Sequence, residues 1–123
     1  MERLNFTTRV LGPATAFRLE KGEVTQTLRS GSSSMTESIL NGRVAAGDRL
    51  EIALDGILVG HAELISMDAV TWAALTIDDA RRGGFDSLDN LGRALKQAGY
   101  RFRPLNEYDF FRIQFAWLEK VYA

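Results

Sequence analysis

Three polar side chains recur at alternate positions in Gly22-Glu23-Val24-Thr25-Gln26-Thr27-Leu28-Arg29: the hydroxyls of Thr25 and Thr27 and the guanidinium of Arg29. Alternate residues of an extended strand share a face. The stretch is β-branched and alternating, so a strand over Val24–Arg29 is predicted, with Val24 and Leu28 on one side and Thr25, Thr27 and Arg29 on the other. Hydroxyls donate to or accept from a base edge, and Arg forks onto a carbonyl pair or a phosphate. From the residues alone this row is either a ligand-binding face or a solvated strand face with a cross-strand ion pair. If Arg29 pairs with Asp48 or Asp79, its role is structural.

Other side chains with chemical potential are fewer. Asp78 and Asp79 fall on a predicted helix, and Thr76 with Asp79 matches the Ser/Thr-x-x-acid capping pattern, the simpler reading of that acid. Asp79 is also a candidate to border a ligand cleft. Arg93, Lys96, Arg101 and Arg103 are four cations with no acid between them. They are candidates to track a nucleic-acid backbone, with Tyr100 and Phe102 interleaved as stacking surfaces. The alternative is a helix C-terminus complementing its own dipole, followed by a basic loop. His61 and Trp72 read as packing residues before they read as ligand contacts.

Composition removes several classes of function. There is no cysteine, which excludes disulfides, thiol catalysis and Cys-based zinc sites. With one histidine, a transition-metal centre is not expected, nor is any cofactor. A net charge of −1 argues against coating nucleic acid through bulk charge, so any such contact is local. No apolar run is long enough to span a bilayer, and the N-terminus does not read as a secretory signal, so a cytoplasmic location without membrane contact is expected.

The 123 residues suit one domain, 1–123. Pro13 starts a helix that runs through Phe17, Arg18 and Leu19 and stops at Lys21-Gly22. The small polar tract Ser30–Ser34 reads as a mobile surface loop, with a lid as the alternative, and Met35–Leu40 as a helical turn. Asp55-Gly56 is a hairpin signal between strands Arg49–Leu54 and Ile57 to about Met67, the second bending near Gly60. Thr76–Arg82 is helical. A second helix is capped by Ser87, faces the core with Leu88, Leu91 and Leu95, and closes at Gly99. Asp109–Trp117 alternates as a final strand, with Phe111, Ile113, Phe115 and Trp117 inward. Hairpins without a βαβ rhythm imply an α+β fold with a small, mostly antiparallel, barrel-like sheet and flanking helices.

Several of these segments, in this order, resemble the ASCH domain family of the PUA-like superfamily. The Gly22–Arg29 stretch resembles the signature Gly-x-Lys-Thr-x-Thr-x-Arg, and Gly47-Asp48-Arg49-Leu50 resembles the turn opening the next strand. Leu75-Thr76-Ile77-Asp78-Asp79-Ala80 with Gly84-Phe85-Asp86-Ser87-Leu88 resembles the Leu-Thr-x-x-Asp-Ala…Gly-Phe-x-Ser-x-x-x-Leu run, and the closing aromatic strand is also expected. The resemblance implies a PUA-like barrel with a cleft, and a link to RNA binding or modified-nucleoside recognition. Some members are amidohydrolases on N4-acetylcytidine and others are reported as ribonucleases.

In the amidohydrolase branch a Lys, a Thr and an acid carry the chemistry. By that resemblance Thr27 takes the nucleophile position and is the best catalytic candidate. The Lys position is Val24 and the acid position is Gly83, neither of which moves a proton. A Thr hydroxyl without a base is a poor nucleophile. Lys21, Glu23 and Asp78 are the nearest substitutes. The leading expectation is therefore a module that binds RNA, single-stranded nucleic acid or a nucleoside through Thr25, Thr27, Arg29 and Asp79. A hydrolase with a reassigned base and a protein-interaction domain are the alternatives.

Overall fold

A computed structural model describes residues 1–101 and 108–121. Five strands form one curled mixed sheet in the order β1-β3-β4-β5-β2, a half-barrel with helices against it. The strands are β1 (Arg3–Phe6), β2 (Gln26–Arg29), β3 (Arg49–Leu54), β4 (Ile57–Val70) and β5 (Phe110–Lys120). The helices are α1 (Thr8–Leu11), α2 (Pro13–Glu20), α3 (Ser34–Leu40), α4 (Ile77–Arg82) and α5 (Leu88–Gln97).

The β3–β4 hairpin turns on Asp55 (φ 52°) and Gly56 (φ 81°), the pair of left-handed residues that a two-residue turn of this twist requires. Along β4 the register slips between Ile52 and Ala53 of the partner strand, beside Gly60, so the expected bend is a bulge there. Gly60 is needed for a second reason. A Cβ on it would lie 2.9 Å from Lys120 Cα and press on the Glu119 carbonyl, so β5 crosses too closely for any side chain.

The sheet departs from the expected form at its first strand. β1 pairs parallel to β3, Arg3 opposite Glu51 through Phe6 opposite Leu54, whereas the other three pairings are antiparallel. The first twelve residues thus hold a strand and a helix that no local signal announced. The hairpin tip fixes α1: Thr8 donates its N–H (2.9 Å) and its hydroxyl (2.6 Å) to the Asp55 carboxylate.

Apolar residues gather on both faces of the curl. In one cluster Leu4, Phe6, Leu50, Ile52, Ile113 and Phe115 meet Leu19 of α2 and Met35 of α3. The other lies beneath α4 and α5, where Leu28, Val70 and Phe110 meet Ala80, Phe85, Leu91 and Leu95. β5 carries Ile113 and Phe115 into the first cluster as expected, but Phe111 is only half-buried, against Tyr108. The other face is not solvent: Phe110 is buried, and Arg112, on the same side, points to α4. The Ser30–Ser34 tract is tied down rather than loose. Ser33 caps α3 by accepting from the Thr36 N–H at 3.2 Å, and Ser30 donates its N–H to the Tyr100 hydroxyl at 2.8 Å.

A candidate binding cavity at the sheet seam

The two edges of the sheet, β1 and β2, come close without pairing strand to strand. One side chain spans the gap: Arg29 Nη2 on β2 donates to the main-chain oxygen of Asn5 on β1 at 2.7 Å. A cavity of about 300 Å³ opens at this seam. Its polar wall is Gln26, Thr27, Arg29 and Asp79, and its apolar wall includes Leu28, Phe85, Leu91 and Leu95. Helix α1 contributes Val10, Leu11 and the exposed Arg9, and Tyr100 also lines it.

Arg29 is the notable charge. It forms no ion pair with Asp48 or Asp79, contrary to the expectation that such a pair could hold it. Its Nε donates to Thr27 Oγ1 at 3.1 Å, and its guanidinium stacks 4.8 Å from the Phe6 ring centroid. Both hydrogen-bond partners are neutral oxygens. Burial pushes its pKa down to about 10, and attraction to Tyr100 only partly offsets this. The physical reason the acids are absent is topological. Asp48 is turned to the Ala45 N–H at 2.9 Å, and Asp79 is already occupied.

Asp79 is 3% exposed and saturated with donors. Its Oδ2 accepts the Thr76 N–H at 2.9 Å, completing the capping box at the start of α4. Its Oδ1 accepts from Gln26 Nε2 and Arg112 Nη1, each at 3.0 Å. Burial alone would raise this carboxyl, but the hydrogen bonds from Gln26, Thr76 and Arg112 outweigh it and hold it below the ordinary range. Arg112 also grips Asp68 at 2.6 Å. The cap and the cavity wall are thus the same residue.

The predicted site residues divide as follows. Thr27, Arg29 and Asp79 meet at one cavity. Thr25 does not line it, because the strand ladder begins only at Gln26. The main chain of Thr25 bridges α4 and β5 instead, donating to the Arg82 oxygen at 2.8 Å and accepting from the Phe115 N–H at 2.9 Å. Arg93 and Lys96 lie on the exposed face of α5 and Arg101 is exposed beyond it, so none of the three enters the cavity. Tyr100 is not a free stacking surface among them; its ring packs edge-on to Phe110 at 5.2 Å. Arg103 and Phe102 lie outside the described residues. His61 sits 3.3 Å from Glu119 on the β4–β5 ladder, and the Trp72 ring packs over Gly92, away from the cavity.

The hydroxyl of Thr27 has no base beside it. Among the described residues its hydrogen-bond partner is Arg29, which gives a proton rather than taking one. Lys21 and Glu23 face a different cleft, with Phe17, Ile57 and Lys120. Val24 is fully buried in the cluster with Leu4, Phe6 and Leu19, and Gly83 lines the cavity without a side chain. The arrangement can bind through donors, an acceptor and apolar walls. Among the described residues no three acids or histidines converge to hold a metal ion, and no helix is long and apolar enough to cross a membrane.

Gln26 is the wall residue that sequence reasoning passed over. The signal was present: alternation puts it on the side of Leu28, and a glutamine on a buried face needs partners.

No protein-family model and no curated protein matches the chain. Solved structures similar to it include two bacterial proteins. A protein of Enterococcus faecalis V583 described by the DUF984 family model superposes with a TM-score of 0.65 at 19% identity, over 100% of this chain and 84% of its own. An ASCH domain from Lactobacillus crispatus superposes with a TM-score of 0.52 at 17% identity, over 84% of this chain and 69% of its own. With its curled five-stranded half-barrel and flanking helices, the chain has an ASCH-like, PUA-like α+β fold.

Proposed function

We propose that the chain is a binding module that accepts a single base, of RNA, of another single-stranded nucleic acid or of a modified nucleoside, into the seam cavity. The observation that carries this reading is Arg29, a partly desolvated cation with no acid partner among the described residues, on the wall of an otherwise largely apolar cavity. A base has two apolar faces and a polar edge. The side chains of Phe85, Leu91 and Leu95 suit the faces, and Gln26, Thr27 and Arg29 suit the edge. At about 300 Å³ the cavity is at the small end for ligand sites, so one base or nucleoside fits and a run of nucleotides does not.

The sugar-phosphate would then lie outside. Arg9 stands at the cavity and also lines a neighbouring groove that includes Arg18 and Arg93. Arg18 is engaged by Asp86 at 3.0 Å, which leaves Arg9 and Arg93 as the cations available there. Two phosphate contacts imply a shallow salt dependence, a slope of log K on log salt of roughly −1.4 for a single strand.

Fluorescence anisotropy with short single-stranded RNA and DNA at low and moderate salt, alongside calorimetry with free nucleosides, tests this. Binding with that shallow slope, and RNA intact on a gel afterwards, is the expected result. Cleavage of the RNA would move the assignment to a hydrolase. Silence towards every oligonucleotide and nucleoside would remove the proposal.

A further inference from the structure

We infer that Gln26 is the specificity-determining residue of the cavity, and that its Oε1 selects ligands whose polar edge presents an N–H donor. This rests on the reading of the seam cavity as a base-binding site and adds which edge the site admits. Gln26 is 2% exposed, lines the cavity, and has an Oε1 that no protein donor reaches. It is the one buried side-chain polar atom among the described residues left in that state.

The orientation of this amide is chemically determined. Gln26 Nε2 lies 3.0 Å from Asp79 Oδ1, and an ionised carboxylate can only accept, so the nitrogen must face it and the oxygen must face away. Asp79 is kept ionised and immobile by Arg112 and by the Thr76 N–H. The chain Arg112–Asp79–Gln26 therefore presents a fixed acceptor rather than an amide free to flip. A ligand edge that meets this oxygen with a donor satisfies it. One that meets it with a lone pair, or with carbon, leaves a buried acceptor unpaired.

The second polar feature sets the neighbouring requirement. With Nε on Thr27 and one Nη2 hydrogen on Asn5, the Arg29 guanidinium retains free donors on Nη1. A donor for Gln26 and an acceptor for Arg29 are what the two residues seek from a ligand: the ring N–H and carbonyl of uracil supply them, as do the amino group and ring nitrogen of cytosine or adenine. Esters, ethers and bare aromatic rings lack the donor.

Calorimetry with the intact chain tests this with three pairs of probes: uridine and 3-methyluridine, cytidine and pyrimidin-2-one riboside, adenosine and purine riboside. The last two pairs delete the exocyclic donor without adding bulk. Whichever parent nucleoside binds, its donor-deleted partner is expected to bind roughly tenfold or more weakly. Gln26→Met, with folding checked by circular dichroism, is expected to narrow that gap to about threefold or less. Equal affinity for parent and donor-deleted ligand in the wild type overturns the inference while leaving base binding intact. Failure of all parents to bind removes the base-binding reading, and this inference falls with it.

Discussion

Replacing Asp79 with alanine is expected to lower the unfolding free energy by about 3 kcal/mol or more. The carboxylate is 3% exposed and receives donors from three residues, Thr76, Gln26 and Arg112. Its removal uncaps α4, frees the Gln26 amide and leaves Arg112 with Asp68 alone. A loss of that size is large against the ~5–15 kcal/mol that holds a typical domain together. The same network has a signed pH dependence. Asp79 is held below its ordinary value, so its contribution is fully present above the unfolded carboxyl value of about 3.9 and disappears as pH falls through the folded one. Chemical denaturation of wild type and Asp79→Asn should therefore show a stability gap at pH 7 that closes below about pH 4. A gap that is absent at pH 7, or that persists undiminished in acid, would show that Asp79 is not the keystone described above.

Arg29→Met is expected to behave in the opposite way, with little effect on stability and a large one on binding. The half-buried guanidinium lacks an acid partner among the described residues, so its desolvation offsets its hydrogen bonds to Thr27 and Asn5 and its contact with Phe6. Methionine keeps the apolar stem and removes the charge. Stability should stay within about 1 kcal/mol of wild type, while affinity for the ligand falls by about 2 kcal/mol, roughly 30-fold. The cation also gives the wild type a mark at high pH. Because its folded pKa of about 10 lies below the unfolded one, its cost is present throughout the neutral range and lessens only as pH rises past 10. A variant that unfolds outright would show Arg29 to be a structural clasp of the seam. A variant that binds as tightly as wild type would remove it from the site.

The division between what the sequence disclosed and what it did not follows the range of the interactions. The β3–β4 hairpin and α5 were legible because their determinants are adjacent residues: Asp55-Gly56 forms the turn and Ser87 accepts from the Asn90 N–H at 3.1 Å. The capping role of Asp79 was legible for the same reason. β1 and α1 were not. Each has four residues, and each is held by a partner far along the chain, β1 by β3 and α1 by the Asp55 carboxylate.

The cavity shows the same split. Alternation along β2 correctly grouped Thr27 with Arg29, but it was counted one step too early at Thr25, where the chain still answers to α4. Asn5, Arg9 and Tyr100 reach the cavity only because the sheet curls until its edges meet, a closure that no local pattern encodes. The basic row was legible as charge, but its described members lie outside the cavity. The α5 residues that enter the cavity are apolar, Leu91 and Leu95 among them, while Arg93 and Lys96 face outward. Gln26 fell by alternation on the apolar side with Leu28, opposite the polar row, and a glutamine there needs partners.

The central claim is that ligand enters the seam between β1 and β2 rather than lying on the basic face of α5. The most direct test is a ¹⁵N chemical-shift titration of the labelled chain with uridine, cytidine and adenosine in turn, observing the side-chain resonances of Gln26 and Arg29 together with the backbone. The account predicts saturable shifts of the Gln26 amide and the Arg29 Nε–H, with Leu91, Leu95 and Val10 moving alongside them. Shifts confined to Arg93, Lys96 and Arg101, with Gln26 and Arg29 unmoved, would contradict it.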